Sequence, residues 1–409
     1  MQSNWIQQQN RIMRILHIST DDYGGAGLCC LRIHQSLMNS GIESKVVVLN
    51  KTKKIDGLYQ YGHLRDKISR IPSKILRILG FQITNRNSRL WLQKVYHAPF
   101  SLPISSVNLL KNEWVKWADI IHLHWVCNYL DYPSFFRGID KPVVWTLHDE
   151  YFFYGIAHYS NQVLKDNEME HHYAHLKREA LSHVLDLNVV MLSNFFYNKF
   201  VGHELLEGRR VVVINNSIDN EVFKPALKSN AREKFGLRED DIVFAFTAVN
   251  INEKRKGLDV LSKVLSGMLD PRLKILAIGG NSENSSWINV ISVGAMASPT
   301  DISEALSAAD YYAMPSYQEA FAQSPMEAMA CGLPVVVFPV SGTSELVNER
   351  NGVICDDFTP EGLEKGIKEL MSNQYYPEEI RRDMIDRFSP TVIAKKYINL
   401  YNEILKDRM

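Results

Sequence analysis

The sequence predicts an α/β protein made of two domains, each with a parallel sheet covered by helices. Short apolar strands alternate with helical stretches from residue 14 to about residue 214, as in a parallel sheet that is buried on both faces. The same pattern starts again at residue 242. The length of 409 residues suits two domains of roughly 200 residues each. Both domains are therefore predicted to be Rossmann-like.

The first predicted domain covers residues 14–215 and follows an N-terminal extension at 1–13. Its first strand, at 14–20, leads through a turn at 21–27 into a helix that ends near residue 39. Its later strands have apolar middles and polar ends, and are predicted at 45–49, 119–125, 143–149, 188–192 and 210–214.

The second predicted domain covers residues 216–385 and begins with a polar, turn-rich stretch at 216–225. A helix is predicted at 391–407, within the final segment 386–409. The strands of the second domain are predicted at 242–248, 273–279, 291–295, 311–314, 334–339 and 352–355.

The composition of the chain limits its possible partners and its cellular compartment. The chain has 46 basic and 46 acidic residues, so its net charge gives no indication of a nucleic-acid partner. Its five cysteines are odd in number and show no CxxC spacing, which favours buried thiols in a reducing compartment over a disulfide framework or a zinc site. No stretch approaches eighteen apolar residues. We therefore expect a cytoplasmic protein.

Two glutamates follow the strand predicted at 311–314. Glu319 lies in the loop after it, and Glu327 lies in the first turn of a helix whose start carries a predicted N-cap, Ser324, and a proline. Both are expected to face one crevice at the carboxyl end of the strand, where open α/β sheets bind ligands. The plain structural alternatives are a solvated acid for Glu319 and a capping box with Ser324 for Glu327.

This stretch resembles the signature of the retaining family 4 glycosyltransferases, which have the GT-B fold of two Rossmann-like domains facing across a cleft. The signature combines a loop glutamate, a small-aromatic-small triplet, a second glutamate in an E-A-M-A helix and the sequence G-x-P-V-V. The resemblance implies that Glu319 and the following backbone hold the donor sugar and that Glu327 holds the ribose. It also implies that the last helix packs back toward the first domain. The triplet is Ala320, Phe321 and Ala322, and Ala322 stands where the family usually has glycine.

A basic turn follows the first strand of the second domain. In the resembling family, a lysine before a glycine at this helix start binds the diphosphate together with an arginine six residues earlier. Lys256 matches the lysine, but the arginine position is Asn250, so Arg255 or Lys254 is the candidate replacement. An exposed basic loop is the structural alternative. Because no Asp-x-Asp pair ends an apolar strand, we predict no metal and no cofactor.

Gly24 and Gly25 occupy the corresponding strand-to-helix turn of the first domain. Glycine lets a backbone approach a sugar or phosphate closely, and the helix N-terminus points at it. We predict donor binding there, with a plain tight turn as the alternative. The same glycines form a truncated dinucleotide fingerprint, and the second strand ends in Asn50 and Lys51 instead of an acid, which leaves an NADP-dependent oxidoreductase open.

Three histidines lie near strand ends of the first domain. His122 and His124 are two residues apart on one strand, and we expected them on opposite faces. The resemblance implies that His124 contacts the donor sugar, and His148 with Asp149 could line the acceptor side. The segment at 145–159 is also similar to a subgroup pattern, W-T-L-H-D followed by T-G-G-C-H-Y, with Ala157 replacing the cysteine.

These observations predict a retaining, metal-independent glycosyltransferase for surface polysaccharide synthesis. The expected partners are a UDP- or GDP-linked sugar and a saccharide acceptor, itself lipid-linked, with no nucleic acid. A non-catalytic sugar-nucleotide-binding subunit is a further alternative. We define the basic segment as residues 51–94, which carry eleven Lys or Arg against two acids. This segment could contact anionic lipid at the inner face of the plasma membrane, or could be an ordinary surface helix.

Overall fold

The computed structural model describes residues 12–61, 100–163, 167–280, 289–296, 298–319 and 321–408. The chain divides into two compact units. Unit 1 comprises Met1–Leu192, Phe200–Ile214 and Ala394–Met409, and unit 2 comprises Ser193–Lys199 and Asn215–Ile393. The main division between the units therefore lies at residues 214 and 215.

Unit 1 contains a seven-stranded sheet whose described strand pairs are all parallel. The spatial order is β3-β2-β1-β4-β5-β6-β7. The order reverses between β1 and β4, so the carboxyl ends of these two strands mark a place where α/β proteins bind ligands. The strands are β1 (Arg14–Asp21), β2 (Glu43–Asn50), β3 (Leu58–Gln60), β4 (Ile120–Leu123), β5 (Val143–Leu147), β6 (Leu187–Met191) and β7 (Arg210–Val213).

Helices connect these strands. The central strands β4, β5 and β6 are buried along their whole length, as expected for a parallel sheet with both faces covered. The helices between these strands are α1 (Gly24–Asn39), α2 (Glu113–Trp117), α3 (Tyr132–Gly138), α4 (Glu168–Ser182) and α5 (Asn194–Phe200). All of α5 except its last residue belongs to unit 2.

Unit 2 repeats the architecture with six parallel strands. Their order is β10-β9-β8-β11-β12-β13, so the reversal falls between β8 and β11. Phenylalanines of β8 pack with leucines of the next helix in one continuous core. The strands are β8 (Ile242–Asn250), β9 (Leu273–Gly280), β10 (Val290–Gly294), β11 (Tyr311–Met314), β12 (Val335–Val337) and β13 (Gly352–Ile354).

The helices of unit 2 cover both faces of its sheet, and the last helix of the chain returns to unit 1. From Ala394 onward this helix belongs to unit 1, where the Tyr401 hydroxyl lies 2.7 Å from His122 Nδ1 and Tyr397 contacts Thr146. The helices are α6 (Lys228–Lys234), α7 (Leu258–Gly267), α8 (Pro299–Ser307), α9 (Ser324–Ala330), α10 (Pro360–Ser372), α11 (Pro377–Phe388) and α12 (Pro390–Asp407). Among the helices in the described ranges, none has both the length and the apolar character needed to cross a bilayer.

The prediction of two Rossmann-like domains is confirmed, with three local differences. The short edge strand β3 was not predicted. The strands β4 and β5 end before His124 and His148, so these histidines lie beyond the strands. The helix α9 includes Ser324, and its N-cap, Gln323, makes no side-chain capping bond. The capping box with Ser324 as N-cap was therefore wrong by one residue at the helix start.

Candidate functional site

The reversal point of unit 2 brings two loops into contact. The short helical turn Lys254–Lys256 follows β8, and Gly257 then begins α7 with a positive φ of 76°. A Cβ atom at Gly257 would stand 2.2 Å from the carbonyl oxygen of Pro315, which follows β11. Only glycine fits this conformation and this close approach. Gly257 therefore joins the basic turn to the loop that carries Glu319.

Two cations converge on one carboxylate at this place. Lys256 Nζ lies 2.5 Å from Glu319 Oε1, and an Arg255 guanidinium nitrogen lies 3.5 Å from the same oxygen. The side chain of Glu319 is 11% exposed, while those of Lys256 and Arg255 are 20% and 22% exposed. Arg255 also pairs with the carboxylate of Glu253 at 2.9 Å. Two cations matched by two carboxylates, with the exposed Lys254 next to them, therefore lie at the start of a helix, a place that suits an anionic ligand.

Arg255 also holds the loop after β11. Its guanidinium donates to the carbonyl of Gln318 at 2.5 Å, and its own carbonyl accepts from the Tyr317 amide at 2.9 Å. Asn250, at the position where the family has arginine, accepts from the amides of Asn252 and Glu253 in the turn. The turn thus places Arg255 beside Lys256, as a second cation at the same carboxylate.

Two buried polar atoms in the loop after β11 have no hydrogen-bond partner among the described atoms. They are Ser316 Oγ and Gln318 Oε1. Burial raises the pKa of Tyr312 on β11 well above its usual value, while hydrogen bonds with the hydroxyls of Ser324 and Thr247 oppose that rise. Buried polar groups normally have partners, so this cluster is typical of a place that takes a ligand or ordered water.

The other predicted donor-binding residues lie on the same loop and helix. Phe321 is 6% exposed and Ala322 is 8% exposed, with the Ala322 amide 3.4 Å from the Thr343 hydroxyl. Glu327 is half-buried in the first turn of α9. Ala320 lies outside the described residues. Glu319 and Glu327 therefore lie on the loop and on the helix that follow β11.

Gly24 and Gly25 begin α1 at the reversal point of unit 1. Gly24 has a φ of 67°, and a Cβ atom at either glycine would meet nothing within 4 Å. The preceding Asp22 is fully buried and accepts hydrogen bonds from the Thr52 amide and hydroxyl and from the Lys53 amide. The turn is therefore open in front of the glycines but carries acids instead of cations.

His122 and His124 lie on one face, so the expected opposite orientation was wrong. Side chains alternate along a strand with a period of two, and residues two apart therefore share a face. Their rings are 4.2 Å apart. His124 is 2% exposed, with Nε2 3.0 Å from His17 Nδ1 and Nδ1 3.2 Å from His148 Nε2. Both ring nitrogens of His124 therefore face other histidines, and the contact of His124 with the donor sugar stays a prediction.

His148 is the partly exposed member of this chain of histidines. Burial lowers the pKa of His148 to about 4, against a smaller opposite effect of Asp149. Burial alone would raise the pKa of Asp149, but His158, the Tyr151 amide and the Trp125 indole lower it overall. Asp149 is thus an ionised anchor, 2.6 Å from His158 Nδ1.

Two residues of α4 hold the loop after β5, and the sequence analysis missed both. Glu170 accepts hydrogen bonds from the amides of Gly155, Ile156 and Ala157. Lys177 is 1% exposed and donates to two carbonyls of the same loop. A buried charge needs such partners. In the sequence, these two residues are only a glutamate and a lysine seven positions apart on one face of an amphipathic helix. Ordinary surface charges show the same pattern. Ala157 packs in an apolar cluster with Phe100.

Comparison with known proteins shows which proteins this chain resembles. Residues 228–387 match the model of the family described as glycosyl transferases group 1. The chain is 26% identical to the D-inositol 3-phosphate glycosyltransferase of Kribbella flavida over 361 residues, which cover 81% of this chain and 78% of that protein. It is 27% identical over 149 residues to N,N'-diacetylbacillosaminyl-diphospho-undecaprenol alpha-1,3-N-acetylgalactosaminyltransferase of Campylobacter jejuni, covering 34% of this chain and 40% of that one.

Among solved structures, HepE of Anabaena in complex with UDP and glucose resembles the chain with a TM-score of 0.63 at 18% identity, covering 96% of this chain and 100% of that one. Other D-inositol 3-phosphate glycosyltransferases match over 33% to 51% of their length. The likeness to solved structures confirms the predicted GT-B fold. Residues 228–387, in unit 2, match the group 1 glycosyltransferase domain, and these comparisons support the predicted transferase class.

Proposed function

We propose that this chain is a retaining, metal-independent hexosyltransferase that uses a UDP- or GDP-linked sugar and a saccharide acceptor. The observation that carries the proposal is the convergence of Lys256 and Arg255 on Glu319 at the reversal point of the second sheet. A diphosphate leaving group needs its charge neutralised, and this turn supplies two cations at a helix start. The diphosphate would replace Glu319 as the partner of Lys256.

Binding of the donor then frees the Glu319 carboxylate for the sugar. A carboxylate accepts hydrogen bonds from sugar hydroxyls, and Glu319 lies one loop away from Glu327, which we assign to the ribose. The buried Ser316 hydroxyl and Gln318 carbonyl oxygen, which have no partner among the described atoms, support a polar ligand beside this loop. Ala322 puts a methyl group where the family usually has glycine.

Retention of configuration fits front-face attack in this site. The bond between the anomeric carbon and the diphosphate oxygen breaks, and the acceptor oxygen bonds to the same face of that carbon. The departing diphosphate takes the acceptor's proton. Lys256 and Arg255 stabilise the charge that develops on the leaving group. In unit 1, His148 is the histidine that we assign to the substrate, with His124 and Asp149 as positioning residues.

The acceptor class is proposed from the name of a relative. The named activity of the Campylobacter jejuni relative places a sugar on a diphospho-undecaprenol-linked saccharide. We propose the same acceptor class, a lipid-linked saccharide of a surface polysaccharide, for this chain. The basic segment would attract anionic lipid at the membrane where such acceptors lie. Residues 62–94, which make up most of that segment, lie outside the described residues.

Thermal unfolding with a panel of ligands tests the donor. The panel contains UDP, GDP, ADP and NADP, each with and without EDTA. A ligand at about 100 times its dissociation constant stabilises a protein by about 2.7 kcal/mol. We expect stabilisation by UDP or GDP that EDTA does not change. A response to NADP alone would contradict the proposal.

Product analysis tests the reaction itself. Incubation with the sugar nucleotide and a lipid-linked saccharide should release nucleoside diphosphate and give a product with the donor's anomeric configuration, as measured by NMR. Stable donor binding without any release would indicate a binding subunit. An inverted product would rule out front-face attack.

A further inference from the structure

Three histidines from two neighbouring strands of unit 1 form a compact buried group. His17 on β1 is the direct parallel partner of His122 on β4, and His124 follows β4 on the same face. The ring centroids of His17 lie 4.9 Å from His122 and 5.2 Å from His124. Each histidine can offer one ring nitrogen so that all three nitrogens lie within 4.8 Å of one another. We define these three residues as the histidine triad.

The triad is buried. The exposures of His17, His122 and His124 are 0%, 0% and 2%. An uncharged imidazole has one lone pair, which is the form that binds a metal ion. His17 Nδ1 faces His124, whereas His17 Nε2 is buried and has no hydrogen-bond partner among the described atoms. An ion held between His17 and His124 would therefore bind His17 through Nδ1, and His17 Nε2 would carry the proton.

The distances and the surrounding hydroxyls fit coordination. His17 Nδ1 and His124 Nε2 are 3.0 Å apart, close to the roughly 3.3 Å that two nitrogens have around a tetrahedral ion with bonds of about 2.0–2.1 Å. His122 has a hydroxyl at each ring nitrogen, Tyr401 at 2.7 Å and Thr146 at 2.8 Å. Whichever ring nitrogen of His122 binds an ion, the other nitrogen keeps a hydroxyl partner that orients the ring. Metal-binding histidines usually have such a hydrogen-bond partner.

We propose that His17, His122 and His124 bind one transition-metal ion of the type that prefers imidazole, such as Zn²⁺. Imidazole nitrogens suit Zn, Cu and Ni, whereas Mg²⁺ and Ca²⁺ prefer oxygen ligands. The ion would link β1 to β4 and, through the hydroxyl of Tyr401, to the last helix. It would also fix His124 and thereby His148. The sequence predicted no metal; this ion lies in unit 1 and is separate from the diphosphate site of unit 2, so the proposal does not rest on the proposed function.

The metal content of the whole protein tests the proposal. We would express the chain with added Zn²⁺, remove free ion by gel filtration and count bound zinc by atomic emission. We expect one ion per chain. Co²⁺ loaded into the metal-free protein should give the visible absorption of a tetrahedral nitrogen site, and Zn²⁺ should abolish it. A protein that retains no ion under either condition overturns the proposal.

Two variants separate the triad from the other histidines of the chain. His17→Asn should lose more affinity for Co²⁺ than the roughly 10–100-fold that loss of an outer partner causes. His158→Asn removes another buried histidine of the same unit, whose partners are Asp149 and Ser101, and should bind as the wild type does. Equal binding by His17→Asn and the wild type would show an adventitious site elsewhere.

A third measurement covers the case in which His17→Asn does not fold. X-ray absorption of the zinc-loaded wild type counts the imidazole ligands directly. Three histidine nitrogens support the triad. An ion with oxygen ligands or a single histidine contradicts it, whatever the variant does.

Discussion

The ion pair between Lys256 and Glu319 predicts opposite effects of its two members on nucleotide binding. The two charged groups are 2.5 Å apart and only 20% and 11% exposed. A nucleoside diphosphate must take Lys256 away from Glu319. Replacing Lys256 by methionine removes a charged hydrogen bond of about 1.5–3 kcal/mol, which corresponds to about 10- to 150-fold weaker UDP binding.

Glu319→Gln should act in the other direction on free UDP. The pair is partly exposed, so we assign it the upper end of the surface range, about 1 kcal/mol. Without the competing carboxylate, UDP should bind about fivefold more tightly. Turnover of the sugar nucleotide should nevertheless fall steeply in Glu319→Gln, because the amide is a weaker acceptor for the sugar hydroxyls.

Titration calorimetry with UDP and uridine measures both effects. Uridine lacks the diphosphate, so its affinity should not change in either variant. Lys254→Met is the matched control, since Lys254 lies in the same short turn but is exposed. If Lys254→Met weakens UDP as much as Lys256→Met, or if uridine and UDP weaken equally, Lys256 does not contact the diphosphate. If Glu319→Gln weakens UDP, the carboxylate is not its competitor.

Four other predictions follow from particular contacts. Glu327→Gln should weaken uridine and UDP equally in calorimetry, because the ribose is common to both; an effect on UDP alone would contradict the assignment. Gly257→Ala should lower the urea midpoint, as its positive φ and the carbonyl 2.2 Å away exclude a Cβ atom, whereas Gly25→Ala, with open space around it, should not. Burial lowers the pKa of Lys177 to about 7, so the unfolded chain holds the proton up to a higher pH than the folded chain does. The free energy of unfolding should therefore rise between about pH 7 and pH 10, by up to about 1.4 kcal/mol per pH unit. Urea titrations should show a smaller rise in Lys177→Met, and an equal rise with pH in both proteins would mean that the lysine stays charged. Replacing three basic residues of the basic segment (Arg70, Lys74 and Arg77) by glutamate should abolish salt-sensitive cosedimentation with anionic vesicles and spare UDP binding; unchanged cosedimentation would leave the segment as ordinary surface.

The sheets were predictable because each buried strand has a recognisable local sequence pattern. The apolar runs of β8 and β11 are bounded by polar residues, and their order along the chain fixes a parallel sheet through right-handed crossovers. The edge strand β3, with only three residues, has no such run. The exact ends of β4 and β5 were also unpredictable, because His124 and His148 directly follow the last paired residues of these strands, Leu123 and Leu147.

The candidate site was predictable where a motif joins neighbouring residues and not where distant residues meet. Lys256 and Glu319 were both chosen from motifs, but their ion pair spans 63 positions in the sequence and has no local signal. His17 was not chosen at all. It is a single histidine in an apolar strand, and its partner across the sheet, His122, lies 105 residues later.

The electrostatics of the two reversal points argue for the diphosphate in unit 2 alone. Both units place a glycine and a helix start after the first strand of the sheet, so the backbone geometry is similar. In unit 1 the turn before α1 carries Asp21 and Asp22, and the Asp22 carboxylate is held in place by three donors. A fixed acid at a helix start repels a phosphate. In unit 2 the turn before α7 carries Lys254–Lys256. The acids beside the glycines of unit 1 are better suited to an uncharged hydroxyl group, and the cations of unit 2 support our proposal that the diphosphate binds there.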